Sequence, residues 1–548
     1  MIRTSRFFGT FFVYTHFMFT QNKSRILAFN VDICYQYEPL LLRAQNQTEI
    51  QSRMNKSFRF FITYALLLSP LFSFANFDFN NNCLNAYKSI FELKLGNAKA
   101  YISTEKKQHP NNSIIPLLEN YVDYFTVLTS ESKADFDRLK GNKSARLDQI
   151  SDDDKSSPYY LYAQAEINLQ WALIRGRFGE YFNAAMEVKK ANSLLQENNK
   201  KFPNFHLNLK GLGLINAVLG NLPDGALKTA LSTFGIKGNL QNGLNMFEKL
   251  ADNLPKSSYE PFYEEVVFYY AYVLTDVAHS PQAYAKTIKY TERIADTSLL
   301  KSYLQSYVCI KNGHSDEAIA ILARRPEGGV YQPFPYLDYL EGIAHLNKLD
   351  LNAAAYFNRF LQATKGVNFI KDAYLHLGWI ALLKGDKGGY TAFAAKAVKN
   401  GYTYMEKDKQ AKGEAAAGTP TIDLLKARLL FDGGYLNKAL QLLDDKKITD
   451  YVNDKDKTEL NYRLGRIYED LGKDDQALAA YQETINEGKN LKYYFAANAA
   501  LQMGKVYERK KNEVKAKEAF NTAIAMKNHE FESSIESQAK AGLRRLAN

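Results

Sequence analysis

The sequence predicts an all-α solenoid of repeated helical hairpins, and three observations support this fold class. First, a pattern of small and large residues near the C-terminus returns after 39 positions. Second, turns rich in Gly, Asn and Asp separate segments whose apolar residues follow the period of a helix. Third, the 548 residues include only 14 Pro but 37 Tyr and 34 Phe, and such rings fill the gaps between stacked helices.

The repeat is clearest near the C-terminus. Its first copy places the small residues Gly465 and Ala477 on two successive helices and the large residue Tyr481 one turn later. Small residues are needed where two helices touch, and large residues where they fill a groove. The second copy places the corresponding residues at Gly504, Ala516 and Phe520. This pattern resembles the tetratricopeptide repeat (TPR), which implies a right-handed superhelix of stacked hairpins.

The same spacing marks six hairpins in the second half of the chain. The long interval between two of them predicts an inserted loop at 401–420, since the residues of 406–419 are polar and small. We therefore expect TPR repeats over 261–400 and again over 421–548, with a capping helix at Glu530–Leu546. The small-residue pairs, 12 positions apart, are Ser306/Ala318, Gly342/Ala354, Ala427/Ala439, Gly465/Ala477 and Gly504/Ala516, with Gly378 and the poorer partner Tyr390 between the second and third.

Residues 76–204 are predicted to form TPR-like helices. A first hairpin is expected at Asn80–Asn112, an apolar helix at Ile115–Leu128, and a further helix at Ser157–Arg175. The polar residues 130–157 are expected to form a loop or a short exposed helix.

Residues 205–260 do not follow the repeat and are predicted to form a separate helical segment. Gly211 and Gly213 indicate a helix that packs closely against its neighbours. The features that follow are, in order, Leu222-Pro223, Phe234-Gly235, Gly238 and Gly243-Leu244. This order resembles the TTC39/Iml2-like family of TPR proteins over 205–250, and the resemblance implies a repeat fold with no established catalytic activity. No functional residues carry over from it. Eukaryotic members of that family are not secreted, so an exported bacterial relative fits better.

Residues 54–75 have the parts of a secretory signal peptide in their usual order. Lys56 and Arg59 form a basic start, an apolar run follows, and Ser73 and Ala75 are the small residues of a cleavage site. The apolar run is too short to span a membrane comfortably. We therefore expect a periplasmic or otherwise exported protein whose mature chain begins near residue 76.

The signal peptide also bears on where the native chain starts. Because a signal peptide begins at the initiator Met, we expect translation to start at Met54 and residues 1–53 to be a non-native upstream extension or disordered. The competing interpretation is that Phe7–Thr20 is itself a targeting or membrane segment. No lipobox precedes Cys83, so a lipid anchor is not expected.

The charge pattern argues against nucleic-acid binding. The formal net charge is +11, but residues 1–75 inflate it, and the remaining chain has 62 basic and 56 acidic residues. These charges are interspersed, whereas a nucleic-acid protein gathers its basic residues into a stripe. Peripheral association with a membrane stays open.

No pattern in the sequence predicts catalysis, a metal or a cofactor. The glycines of 235–238 lack the spacing of a phosphate-binding loop, and we expect them to cap helices. His345 and His376 fall on successive helices, but two His without a further ligand do not make a metal site. Cys83 and Cys309 lie about six hairpins apart, and we expect both to be buried and free.

The candidate binding surface is the concave groove, which the first helix of each TPR hairpin lines. In the register of the repeat, its middle is apolar and aromatic and its C-terminal end carries mixed charge. Such a groove suits a peptide or a partner helix. The alternative is that a tight superhelix or the N-terminal half buries the middle. The candidate groove residues are Tyr336, Tyr339, Ile343, Leu375, Trp379, Tyr462, Arg466 and Lys505.

The sequence thus predicts a non-enzymatic TPR scaffold that binds a protein or peptide outside the cytoplasm, without cofactors and without nucleic acid. The main alternative is a carbohydrate- or nutrient-binding component of an outer-membrane uptake system, because some exported nutrient-binding proteins also use TPR helices. A hydrolase with a site of unrecognised type is a further alternative. The sequence identifies neither the partner nor the oligomeric state.

Overall fold

A computed structural model describes residues 77–222 and 236–547, and within these ranges the chain is almost entirely helical. The β-type pairing in this part of the chain is an isolated bridge between Ser132 and Gly366. The predicted all-α, TPR-like class is therefore confirmed. The upstream extension, the signal peptide, and the Pro223 and Phe234-Gly235 positions of the family-like segment lie outside the described residues.

The N-terminal half consists of helices that pair with their neighbours in sequence. Its helices are α1 (Asn81–Phe91), α2 (Leu95–Gln108), α3 (Ile114–Ser130), α4 (Lys133–Leu139), α5 (Asn142–Ser151), α6 (Pro158–Arg177), α7 (Tyr181–Lys201), α8 (Asn208–Gly220), α9 (Leu240–Asn253), α10 (Tyr263–Tyr272) and α11 (Ala283–Thr291). Short 3-10 turns at Leu254–Lys256 and Glu260–Phe262 precede α10, and a π-helical turn at Val273–Val277 continues it.

The second half contains the six expected hairpins, and the first helix of each is here called its A helix. The hairpins are α12 (Leu299–Lys311) with α13 (Ser315–Ala323), α14 (Tyr336–Asn347) with α15 (Ala353–Ala363), α16 (Ile370–Leu383) with α17 (Lys387–Lys399), α19 (Ile422–Asp432) with α20 (Leu436–Leu443), α21 (Asp454–Asp470) with α22 (Asp474–Gly488), and α23 (Phe495–Arg509) with α24 (Glu513–Ala525). The inserted helix α18 (Glu406–Ala417) separates the third hairpin from the fourth, and α25 (Glu532–Arg545) ends the chain.

Small residues allow the two helices of a hairpin to touch, as the repeat predicts. A Cβ atom added to Gly465 would lie 2.5 Å from the Tyr481 ring, and one added to Gly342 would lie 3.0 Å from the Phe357 ring. The second hairpin differs from the expectation by one position. Ala353 is fully buried at its crossing, whereas the predicted Ala354 is half-buried, so the crossing residues Gly342 and Ala353 are 11 positions apart.

The glycines of the 205–250 segment allow neighbouring helices to pack closely, as expected. A Cβ atom on Gly211 would lie 2.6 Å from a Leu195 methyl carbon, and one on Gly243 would lie 2.6 Å from the backbone nitrogen of Ala217. Helices α8 and α9 therefore approach backbone to backbone.

Two expectations about polar segments are wrong. Residues 130–157 form two helices, α4 and α5, and they bury Phe136 and Ile150 completely. The predicted inserted loop is largely the helix α18, which packs on α16 and α17 and buries Asp408 and Ala411. In both segments a few buried side chains fix the helix in place, although most of the surrounding residues are polar.

The apolar core runs continuously from the first helices to the middle hairpins, and separate clusters continue it through the last ones. Among the described helices, none combines the length and apolar character that crossing a bilayer demands. Cys83 and Cys309 are both buried and unpaired, as expected.

Candidate functional site

A cavity of about 1030 Å³ runs along the concave side of the hairpins. The A helices α12, α14, α16, α19 and α21 contribute most of its lining, and α18 forms part of one wall. The loop at His279–Pro281 contributes residues from the N-terminal half. The cavity therefore occupies the surface that TPR folds use as a groove, and the inserted helix narrows it.

Aromatic side chains form a buried floor in the middle of this cavity. Tyr339, Leu375 and Trp379 expose only 3%, 1% and 4% of their surface. Tyr339 donates a hydrogen bond to a carboxylate oxygen of Asp372 at 2.5 Å, and the His376 ring lies 4.7 Å from the Trp379 ring. These side chains define the shape of the cavity but leave little area for a ligand.

The charge of Asp372 is held in this floor by its neighbours. Burial by itself would raise its pKa, but the adjacent His376 and the hydrogen bond from Tyr339 lower the pKa of Asp372 to about 2. The Nδ1 atom of His376 lies 3.0 Å from the Asp372 carboxylate. The two side chains are thus in hydrogen-bond contact below the aromatic side chains.

The inserted helix α18 is fixed to the groove by two carboxylates. Asp408 accepts backbone hydrogen bonds from Phe369 at 2.6 Å and Lys371 at 2.9 Å, and it thereby caps the N-terminus of α16. Glu414 accepts two hydrogen bonds from Arg428, at 2.8 and 3.2 Å, in a bidentate pair. Arg428 also lies over the Trp379 ring at 5.1 Å.

The A helices carry one residue each at an equivalent place of the repeat, and these residues form a row along the groove. Each follows the small residue at the helix crossing, so each side chain projects from an equivalent place on its hairpin. The row changes from apolar to basic toward the C-terminus: Ile343, Trp379, Arg428, Arg466 and Lys505.

The last two cations of this row lack the carboxylate that Arg428 has. The Arg466 guanidinium lies over the Phe431 ring at 5.0 Å and donates a long hydrogen bond to Tyr462 Oη at 3.4 Å. Its Nε atom is buried without a hydrogen-bond partner. Lys505 donates to Gln538 at 3.3 Å, and burial together with the nearby Arg466 lowers the pKa of Lys505 to about 8. Neither cation forms an ion pair within the described ranges.

The structure places six of the eight candidate groove residues in the lining of the cavity. These six are Tyr336, Tyr339, Ile343, Leu375, Trp379 and Arg466. Tyr462 is buried one turn before Arg466, and Lys505 lies beyond Arg466 on the next A helix. Their role in binding stays a prediction.

Sequence reasoning missed the wall that α18 forms. Its residues appeared to be loop because they are small and polar, yet Glu, Lys, Gln and Ala are strong helix formers. That propensity was the available signal, whereas the contacts of Asp408 and Glu414 could not be read from it.

His345 and His376 do not form a joint site. His345 pairs with Asp350 at 2.8 Å and stacks on Tyr356, while His376 pairs with Asp372. In the part of the chain that the structure describes, no group of three or more His, Cys, Asp or Glu side chains is arranged to hold a metal ion.

A second polar cluster is buried in the N-terminal half. Lys210 Nζ lies 2.8 Å from Glu166 Oε2 and 2.5 Å from Glu265 Oε1, and all three side chains are at most 1% exposed. Tyr87 and Tyr121 donate hydrogen bonds to Glu265. The lining of the cavity on the concave side does not include this cluster, and we regard the cluster as structural.

Comparisons with known proteins find only weak similarity to solved structures. No protein-family model matches the chain, and no curated protein matches it either. The Cut9–Hcn1 hetero-tetramer of the APC/C is similar at 12% identity, over 84% of this chain and 96% of that chain, with a TM-score of 0.25. The human IFIT1 dimer with m7Gppp-AAAA shares 14% sequence identity, over 83% of this chain and 97% of that chain, with a TM-score of 0.30. The P58(IPK) TPR domain shares 13% sequence identity, over 78% of this chain and 98% of that chain, with a TM-score of 0.21. The TPR-like class follows from the helices and hairpins of this chain itself.

Proposed function

We propose that this protein is a non-enzymatic scaffold that binds a peptide or protein segment in its concave cavity. The observation that carries the proposal is the cavity of about 1030 Å³ lined by consecutive A helices. A volume of this size accepts several side chains of a partner, and a row of helices offers repeated contacts along an extended or helical segment.

The chemistry of the lining suits a peptide. Beside the buried floor, the half-buried side chains of Tyr307, Ile343 and Phe431 offer apolar surface to a ligand. Asn347 and Gln410 supply hydrogen-bonding groups, and basic side chains lie at the C-terminal end. The lining therefore combines apolar surface with many polar and charged groups, a mixture that can contact both the side chains and the backbone of a bound segment.

Co-purification tests the proposal. The tagged chain should retain a stoichiometric protein partner, and replacing Ile343 or Phe431 by Ser should weaken retention by about tenfold through lost apolar contact. Val452→Ser is the matched control, because Val452 is 96% exposed and is not part of the cavity lining. Thermal unfolding of each variant separates lost binding from lost folding. Unchanged retention by folded Ile343→Ser and Phe431→Ser variants would contradict the groove.

The carbohydrate-binding alternative makes a different prediction for the same cavity. Aromatic rings and amide side chains are present there, and sugars bind to such surfaces through stacking and hydrogen bonds. Retention on glycan arrays without a protein partner would favour that alternative and count against the scaffold.

We further propose that the protein acts outside the cytoplasm. The support is the signal-like order of parts in residues 54–75. The scaffold would then meet its partner in the periplasm or beyond the cell.

A further inference from the structure

We infer that the C-terminal part of the cavity binds a carboxylate of an acidic partner segment at Arg466, with Lys505 as a second basic contact. The inference deepens the proposed function and rests on it, since it names the chemistry of the segment that the groove accepts. The inference has two supports. The chain itself places the Glu414 carboxylate against Arg428 in this groove, and Arg466 and Lys505 in the next two hairpins form no ion pair with any described residue.

Helix α18 supplies that intramolecular example. It lies against the concave side, and its Glu414 forms a bidentate pair with Arg428, which directly follows the crossing residue Ala427 on its A helix. Arg428 is held over the Trp379 ring of the preceding hairpin, so its guanidinium is oriented before the pair forms. A carboxylate carried on a helix is therefore a group that Arg428, one member of this row, accepts.

Arg466 repeats this arrangement one hairpin later. It occupies the equivalent position, and it lies over Phe431 as Arg428 lies over Trp379. What differs is the partner, because Arg466 forms no ion pair with any described residue and its Nε atom is buried and unsatisfied. Because Arg466 lines the cavity, its guanidinium can form a charge-assisted pair with a carboxylate of a bound segment.

Lys505 extends the basic surface by one more hairpin. Its hydrogen-bond partner is the neutral Gln538, whereas the carboxylates nearby already pair elsewhere: Glu469 with Arg509 and Glu508 with Arg545. Burial and the charge of Arg466 lower the pKa of Lys505 to about 8. A bound anion between the two cations would relieve this repulsion.

The surroundings favour a peptide carboxylate over a nucleic acid. Asp432 and Asp470 also line the cavity beside Arg428 and Arg466, so the basic residues do not form an uninterrupted track for a chain of phosphates. A peptide whose carboxylates are separated by neutral residues complements this alternation of basic and acidic side chains better than a continuous chain of phosphates does.

The spacing of the hairpins sets the spacing of the acidic residues. Helices that pack against each other lie about 8–10 Å apart. A helix rises about 1.5 Å per residue, so two glutamates about seven residues apart span a similar distance. Because α18 is itself helical, we choose a helical probe with that spacing.

The test is a binding titration by fluorescence anisotropy with the full chain. The probe is a fluorescein-labelled, alanine-rich helical peptide with two glutamates about seven residues apart, and its twin carries Gln at both places. The glutamate probe should bind at least about tenfold more tightly than the twin, and its affinity should fall as salt is added. Arg466→Gln should weaken binding by about tenfold and Lys505→Gln by about threefold.

Lys517→Gln is the matched control variant. Lys517 is exposed on α24 and pairs with Glu513, so its loss removes the same charge without touching the cavity. It should leave the affinity within about twofold, since surface pairs contribute little. Thermal unfolding of all three variants confirms that each is folded.

Three results would overturn the inference. The first is equal affinity for the glutamate probe and its Gln twin, including no binding of either. The second is an unchanged affinity in the folded Arg466→Gln variant. The third is Arg466-dependent binding of a single-stranded oligonucleotide that is tighter than binding of the peptide.

The inference can fail while the proposed function stands. If Ile343→Ser releases the co-purified partner and Arg466→Gln does not, the groove binds the partner without this carboxylate contact. If neither variant affects retention, the groove itself is not the binding surface.

Discussion

Lys210 Nζ lies 2.5 Å from Glu265 Oε1 in the interior of the N-terminal half, although 55 positions separate the two residues in sequence. Glu166 completes the cluster at 2.8 Å from the same nitrogen. Two carboxylates therefore share one ammonium group in a site that excludes water. Burial, opposed by the charge of Lys210, raises the pKa of Glu166 to about 7.

Replacing Lys210 by Met should destabilise the protein strongly. Met has a similar length, but it leaves two buried carboxylates without a cation, and breaking a buried pair in this way costs about 3–5 kcal/mol. Urea unfolding followed by circular dichroism measures the change. Lys249→Met, on the exposed side of α9, is the control and should have little effect. An equally small effect of Lys210→Met would show that the cluster does not stabilise the fold.

Stability should fall as the pH rises from about 5 to about 7. The folded pKa of Glu166 is about 7, against 4.5 for an ordinary glutamate, so in this interval the folded state holds a proton that the unfolded chain has released. The contribution is therefore present below pH 4.5 and is lost as the pH rises through 7. Burial raises the pKa of Glu264 and of Asp408 to about 7 as well, and both act in the same direction.

The variant Glu166→Gln tests this dependence. Gln can still accept a hydrogen bond from Lys210 but does not titrate. The fall of the unfolding free energy with rising pH should therefore become less steep, by at most about 1.4 kcal/mol per pH unit. Asp137→Asn is the control, because Lys133 and Lys140 lower the pKa of this exposed carboxyl and it does not titrate in this interval. An unaltered slope in Glu166→Gln would refute the assignment.

Adding one methyl group at a helix crossing should destabilise the C-terminal hairpins. In Gly465→Ala the new Cβ would lie 2.5 Å from the ring of Tyr481, which is fully buried and has no space to move. Overpacking of this kind costs about 1–3 kcal/mol. Gly413→Ala is the matched control in α18, because no atom lies within 4 Å of its added Cβ. It should be neutral or stabilising by about 1 kcal/mol, as measured by thermal unfolding.

Removing the Asp408 side chain should loosen both α16 and α18. Asp408→Ala leaves the backbone N–H groups of Phe369 and Lys371 without their acceptor, and losing an N-cap costs about 1–2 kcal/mol. Amide hydrogen exchange should become faster at the start of α16 and across α18. If exchange becomes faster only at exposed residues outside α16 and α18, the capping role is contradicted.

The mature protein should begin near residue 76. If residues 54–75 are a signal peptide, N-terminal sequencing of protein recovered from the periplasm or the medium should return the residues that follow Ala75. Substituting Ala75 by a bulky residue such as Tyr should leave the precursor uncleaved. A mature chain that retains residues 54–75 would refute this assignment.

The sequence was informative wherever the constraint is local. The spacing from Gly465 to Ala477 follows from two helices and a turn, so it located the hairpins, and the irregular segment between them, without any knowledge of the whole fold. It also indicated where an insertion interrupts the repeats. Helix propensity was its only signal that the insertion is a helix, and it could not show the buried contacts of Asp408 and Ala411, because these involve residues distant in sequence.

The candidate site likewise has features that the sequence predicts and features that depend on contacts between distant residues. The register of the repeat placed Tyr339, Trp379 and Arg466 on the concave side, and all three line the cavity. The sequence could not show that Tyr339 and Trp379 form a buried floor, since Phe369 packs against Tyr339 and Arg428 lies over Trp379, each from a neighbouring hairpin. Nor could it show that Arg428 has a carboxylate partner while Arg466 has none.

By itself, the sequence determined the architecture of the protein, because helix period, turn chemistry and the small residues of the crossings act over short stretches of chain. The tertiary structure decided which charges meet. Lys210, Glu166 and Glu265 come together only through the packing of three separate helices, and α18 brings Glu414 to Arg428, whereas Arg466 forms no ion pair with any described residue. Charges act through space at a range of a few ångströms, so their partners follow from the fold and not from spacing along the chain.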